Sequence, residues 1–258
     1  MIVVERGGHV LLIKQLDHAA LAGRFAGEWG NERFEAPTPR GSVVLAASRH
    51  DEGWREWDDE RREDPERERS LHFLDVDIND YVELYARGID RIAGLDVYAG
   101  LLVSMHGTGN VCGRWGIQPG IRLSHYDEVT WPAVIRRYVL EQEALQARLK
   151  LDLLGLSPED RRSVFERRLW ANYELLQAWD RLSLFLCRTD PREPAGADLG
   201  VVPVSLEGCE VEALKVRSRS GKATVSPWPF RTARIDVEVA LQGPEAPLRW
   251  MLTEEEAW

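Results

Sequence analysis

The chain opens with two short β-branched and apolar runs, IVVE and HVLLI, separated by the turn residues RGG. That pattern predicts a β-hairpin over residues 1–14. The period then lengthens. Leu16, Ala19, Ala20, Leu21, Phe25 and Trp29 recur at helical spacing, which predicts a helix over 16–29. After the break APTPRG, the run SVVLAASRHDEG reads as a short, mostly buried helix, with Ser42 as N-cap and Gly53 just past its end. Residues 55–70, REWDDERREDPERERS, are almost all charge and read as a solvated loop. NDYVELYARGIDRIAG predicts a helix capped by Asn79. LDVYAGLLVSMHGTG is apolar around its whole circumference, and such a helix belongs in the centre of a core. EVTWPAVIRRYVLEQEALQARLKLDLLG, with Trp131 and Pro132 near its first turn, predicts a long helix. So does SPEDRRSVFERRLWANYELLQAWDRLSLFLC, where Ser157, Pro158 and Asp160 supply an N-terminal signature.

Beyond about residue 188 the period shortens to two. DPREPAGADLG reads as a linker, and VVPVSL, CEVEALKVR, KATVS and ARIDVEVAL alternate as strands of a small antiparallel sheet. An isolated hairpin is only marginally stable, so the N-terminal hairpin is expected to join that sheet. The predicted architecture is α+β: a helical domain over 15–190, a β subdomain over 200–258, and the hairpin of 1–14 packing on it.

Composition narrows the function classes. Of 258 residues, 44% are apolar and 29% charged, enough apolar material for a substantial core. Thirty-three basic side chains against forty-three acidic ones give a net charge of −10. Such a surface repels phosphate backbones and anionic lipid, which argues against nucleic acid and membranes as partners. The three cysteines, Cys112, Cys187 and Cys209, are odd in number and form no CxxC. A reducing, cytoplasmic setting is therefore expected. The opening segment is too short and interrupted for a signal peptide. Phosphate-binding and nucleophile-elbow motifs are missing: HGTGNVCGRWG completes neither GxxxxGK nor GxGxxG, and no GxSxG occurs.

The candidate chemistry lies where apolar helices carry polar groups. His18 is on the first predicted helix, His50 and Asp51 end the second, and His106 ends the wholly apolar one. Asp180 sits inside LLQAWDRLSLFLC, on the face that also carries Tyr173 and Gln177. A buried carboxylate needs a cation, a metal or several donors. Three apolar helices each delivering a polar group are most simply reconciled if those groups share one pocket. The resulting donors are imidazole nitrogen and carboxylate oxygen without thiolate, a set suited to iron, manganese, zinc or nickel rather than structural zinc. Adjacent His and Asp point about 100° apart on a regular helix. At a helix end that constraint relaxes, and the doublet can serve one or two ions.

The order His18, His50-Asp51, Asp180 on a helical core resembles the HD-domain superfamily of metal-dependent phosphohydrolases, and HDEG is similar to its H-D-x-G, with Trp54 where a lysine is common. The longer order His18, His50, Asp51, His106, His125, Asp180 resembles the di-iron oxygenase branch typified by myo-inositol oxygenase. QLDHAALAG, HDEGWREWD, GLLVSMHG, LLQAWDRLSLFLC and PWPF, spread over nearly the whole chain, resemble an uncharacterised bacterial family, a domain of unknown function.

These resemblances imply a metal-dependent hydrolase of the phosphohydrolase type acting on a small molecule. Its divalent metal, one or two ions of iron, manganese or zinc, would be held by His18, His50, Asp51, Asp180, His106 and His125, with His106 and Gln177 as catalytic groups. The alternatives are a di-iron oxygenase on the same ligands, a non-catalytic metal- or small-molecule-binding protein, and a closed hydrogen-bond network that only fixes the fold. An interaction surface built on Trp54 and Trp57 would require both indoles to be exposed.

Overall fold

The computed structural model describes residues 1–60, 63–64, 69–112 and 131–254. The fold is α+β, a helical bundle flanked by a two-stranded hairpin and a five-stranded sheet. The bundle comprises α1 (Gln15–Glu28), α2 (Arg40–Arg49), α3 (Arg55–Glu60), α4 (Ile78–Leu95), α5 (Val97–Cys112), α6 (Ala133–Leu154), α7 (Pro158–Ser163) and α8 (Glu166–Arg188). As its composition requires, α5 is the central element, buried at every position from Tyr98 to Val111 and packed against α2, α4, α6 and α8. No helix among the described residues is long and apolar enough to cross a membrane.

The hairpin, β1 (Ile2–Arg6) and β2 (His9–Ile13), pairs Ile2 with Ile13 through Arg6 with His9. It forms a sheet of its own instead of extending the C-terminal one, to which the Leu12 carbonyl is tied by the Gln242 N–H at 2.8 Å. Its inward residues Ile2 and Ile13 are fully buried in the common core, which offsets the hairpin's isolation. Two very short strands, β3 (Glu63–Asp64) and β4 (Arg69–Ser70), pair within the stretch read as loop, and α3 occupies its first part.

The C-terminal strands are β5 (Ala195–Pro203), β6 (Val211–Arg219), β7 (Lys222–Ser226), β8 (Arg234–Val239) and β9 (Leu248–Glu254), in the order β5-β6-β7-β9-β8. The sheet is not wholly antiparallel, because β7 and β9 run parallel. β5 begins inside the stretch read as linker, and β9 is a further strand with no counterpart among the predicted runs. The strict alternation of β8, exposed then buried through six residues, lays one face on the bundle. Trp29, Trp179 and Phe230 clamp that junction edge-to-face, with ring centroids 5.6 and 5.7 Å apart, and Trp250 Nε1 donates to the Leu186 carbonyl. Burying each such aromatic contributes about 1.5–3 kcal/mol.

Three helix boundaries differ from expectation for local reasons. α2 begins at Arg40, so Ser42 lies inside it and donates to Asp96 Oδ2 at 2.8 Å. α4 is capped by Asp77, whose carboxylate accepts from the Asn79 N–H. The segment 157–188 is two helices: the capping box of Ser157 and Asp160 starts α7 as predicted, but the chain breaks and restarts at Phe165. Trp54 and Trp57 are buried and pack edge-on, so the exposed-tryptophan surface is overturned.

Candidate metal centre

Four side chains from three elements meet at the centre of the bundle. His18 comes from α1 and Asp180 from α8. His50 is the residue that closes α2, and at Asp51 the backbone leaves the helix (φ −103°, ψ 24°) for a single 3-10 turn, Glu52–Trp54. This departure lets two adjacent residues aim at one point. Gly53 lies within that turn, and its missing side chain permits close approach to α4. A Cβ there would lie 1.9 Å from the Leu84 carbonyl oxygen, and one on Gly88 would lie 2.4 Å from the Gly53 nitrogen.

The geometry is tight. His18 Nε2 is 3.0 Å from Asp180 Oδ1 and 3.5 Å from Asp51 Oδ2, and His50 Nε2 is 3.4 and 3.5 Å from the same two oxygens. The two Nε2 atoms are 3.2 Å apart. Ligands about 2.1 Å from a common ion and 90–110° apart around it stand about 3.0–3.4 Å from one another. All four residues are at most 3% exposed.

Hydrogen bonds on the far side of each imidazole decide what faces inward. His50 Nδ1 lies 2.8 Å from the Ala47 carbonyl, an acceptor only, so Nδ1 carries the proton. The Ser183 hydroxyl donates its single hydrogen to the Asp180 carbonyl at 2.9 Å, so it accepts from His18 Nδ1 at 2.5 Å. With Nδ1 protonated on both rings, each neutral imidazole turns its Nε2 lone pair toward two carboxylates. Such convergence requires positive charge, supplied by two further protons or by one divalent cation.

Without an ion the protons take that role. Burial disfavours the imidazolium of His18, but Asp180 and Asp51 outweigh it and hold its pKa up at about 9. His50 is raised for the same reason, Asp51 and Asp180 overcoming burial. Burial acts against ionised Asp180 and Asp51 too, and the two imidazoles reverse it, holding both carboxyls below their ordinary range.

Around this set lies a shell of neutral polar groups. Tyr85 Oη donates to Asp51 Oδ1 at 2.9 Å and accepts from Asn110 Nδ2 at 3.3 Å. His106 lies behind His50, with ring centroids 4.8 Å apart, and burial followed by the charge of His50 lowers its pKa to about 4. Its Nδ1 and Nε2 are 3.1 and 3.2 Å from the amide groups of Gln177 and Asn110. A neutral ring has one N–H, so both amides cannot donate to it. Turning Gln177 so that its otherwise unpaired Oε1 accepts from Nδ1 resolves the conflict.

Two overlapping groups could therefore hold a metal ion: His18, His50 and Asp180, and His50, Asp51 and His106. Of the residues singled out in the sequence, His18, His50, Asp51 and Asp180 converge, His106 stands beside them, and Gln177 touches His106. Tyr173, on the same face of α8, stacks edge-on with Trp170. His125 lies outside the described residues. Sequence reasoning missed Ser183, Tyr85 and Asn110. Ser183 is one turn beyond Asp180 and Asn110 one turn beyond His106, and that spacing was the available signal.

Residues 1–243 match the family model described as "Protein of unknown function (DUF3891)". The chain belongs to this family. No curated protein and no solved structure matches. For this DUF3891 member, the site itself carries the functional reading.

Proposed function

We propose that this DUF3891 protein is a metal-dependent hydrolase of the HD type acting on a small molecule, with His18, His50, Asp51 and Asp180 holding one divalent ion. The observation that carries the reading is the convergence of two imidazole lone pairs and two carboxylate oxygens at 3.0–3.5 Å, with both imidazoles locked from behind. The order of these residues along the chain, shared with HD-domain phosphohydrolases, supports a phosphoryl or similar ester as substrate. The nitrogen and oxygen donors suit zinc, manganese or iron. When bound, such an ion would lower the pKa of a coordinated water and polarise the bond to be broken.

The chain's own residues do the rest. Ala47 and Ser183 fix the two imidazoles so that no reorganisation is needed on binding. Tyr85 occupies Asp51 Oδ1, leaving Oδ2 for the ion and favouring one ion over two. His106, neutral with one N–H and one lone pair, is equipped to move a proton, and Gln177 orients it. Burial excludes bulk water and strengthens each of these interactions.

The test is elemental analysis of protein purified without chelator, on the wild type and His50→Ala, with turnover of a panel of phosphate esters before and after chelation. One equivalent of metal, lost in the variant, with chelator-sensitive hydrolysis is expected. Two irons with oxygen-dependent turnover would replace this reading by the di-iron oxygenase. Metal-free protein that takes up no added zinc, manganese or iron would reduce the site to a structural network.

A further inference from the structure

The helix α6 has two apolar stripes, and the bundle uses one of them. Ile135, Tyr138, Gln142, Leu145 and Leu149 face inward. On the opposite side Leu140, Ala144, Ala147, Leu151 and Leu154 recur at alternating spacings of four and three, the 3.5-residue repeat of a helix seam. This second stripe is exposed: Leu140 by 61%, Leu151 by 68% and Leu154 by 38%. A surface helix needs one stripe for its own core, and the leucines of the other stay exposed among the described residues.

We propose that the stripe is the interface of a homodimer in which α6 packs antiparallel against α6 of a second copy. Charge selects this occupant. Glu141 and Glu143 flank the N-terminal half of the stripe, with Arg137 3.9 Å from Glu141 on the same helix, and Arg148 and Lys150 flank the C-terminal half. Antiparallel pairing about a two-fold axis between Leu145 and Gln146 sets Leu140 against Leu151 and Ala144 against Ala147. The same axis brings the acidic pair of each copy to the basic pair of the other. A parallel pair would set like charges together along the whole contact. The alanines at the centre let the backbones approach closely, and the interface is isologous, as closed dimers require. Beyond the stripe, a cavity of about 570 Å³ bounded by Trp131, Ala133, Arg136, Arg137, Leu140 and Glu141 lies where the second copy's Leu154 arrives.

The experiment is sedimentation equilibrium on the full-length protein. The wild type is expected at twice 29.4 kDa. Ala144→Glu, outside the core, is expected to weaken association by about 100-fold or more while leaving circular dichroism and metal content unchanged. Glu141→Lys with Glu143→Lys makes all four flanking charges positive and gives monomer. Adding Arg148→Glu and Lys150→Glu inverts the pattern and restores the dimer. A wild type that stays monomeric up to about 100 µM, where micromolar association saturates, overturns the proposal. So does a dimer that survives Ala144→Glu, or a fourfold inversion that fails to restore it.

Discussion

Replacing Gly53 by alanine tests whether the site depends on the close packing of its supporting turn. The added Cβ would sit 1.9 Å from the Leu84 carbonyl oxygen, whereas comfortable contacts of this kind lie near 3.5 Å. The turn and α4 must therefore separate by about 1.5 Å, since the obstacle is backbone and cannot rotate away. Asp51 precedes Gly53 by two residues, and Tyr85 follows Leu84 by one. The 2.9 Å hydrogen bond from Tyr85 to Asp51 spans the same two elements and cannot survive that displacement. Overpacking at the upper end of its usual range costs about 3 kcal/mol, which in a chain of this size lowers Tm by about 6–12 °C. Displacing one carboxylate of the donor set should also weaken metal binding by at least about tenfold. Thermal unfolding and titration calorimetry with zinc or manganese measure the two effects. Gly94→Ala is the control: it lies in α4 with nothing within 4 Å of an added Cβ, and should be neutral or stabilising by about 0.5–1 kcal/mol. Gly53→Ala with wild-type Tm and metal affinity would refute the reasoning.

Three further outcomes are expected. Ser183→Ala strips His18 Nδ1 of its acceptor and should reduce metal affinity about 10- to 100-fold; calorimetry showing unchanged affinity would remove Ser183 from the design of the site. Tyr85→Phe frees Asp51 Oδ1, so metal analysis should find either weaker binding or a second ion bridged through Asp51, and an unaltered single site would show that the hydroxyl does not set the stoichiometry. In chelated protein the pKa of His18 rises from its ordinary 6.5 to about 9 on folding. The stabilisation it supplies is therefore complete below pH 6.5 and lost as pH climbs through 9, while Asp51 and Asp180, held low, add stability lost only in acid. A divalent ion at the proposed site would replace those protons, so added metal should raise Tm most at alkaline pH and release protons on binding; a chelated Tm flat between pH 6.5 and 9 would contradict this.

The pattern of apolar positions determined that α5 is central, that α6 and α8 are long, and that the C-terminal quarter is strand. Each follows from the period at which side chains must face a core, which is a local property of the chain. The same rule made His18, His50, Asp51 and Asp180 conspicuous, because a polar group on an apolar face must be paired somewhere. Local pattern could not decide the partner of a strand or the direction in which a helix-end side chain points. The parallel pairing of β9 with β7 and the separation of the hairpin from the C-terminal sheet follow from contacts between distant residues. Ser183, Tyr85 and Asn110 join the site for the same reason, since a hydroxyl or amide gains its role from what packs opposite it. That two imidazole nitrogens stand 3.0–3.5 Å from each of two carboxylate oxygens, across 162 positions from His18 to Asp180, was decided by the packing of α1, α2 and α8. Spacing along a chain fixes the face on which a side chain stands, and only packing fixes the distance between faces.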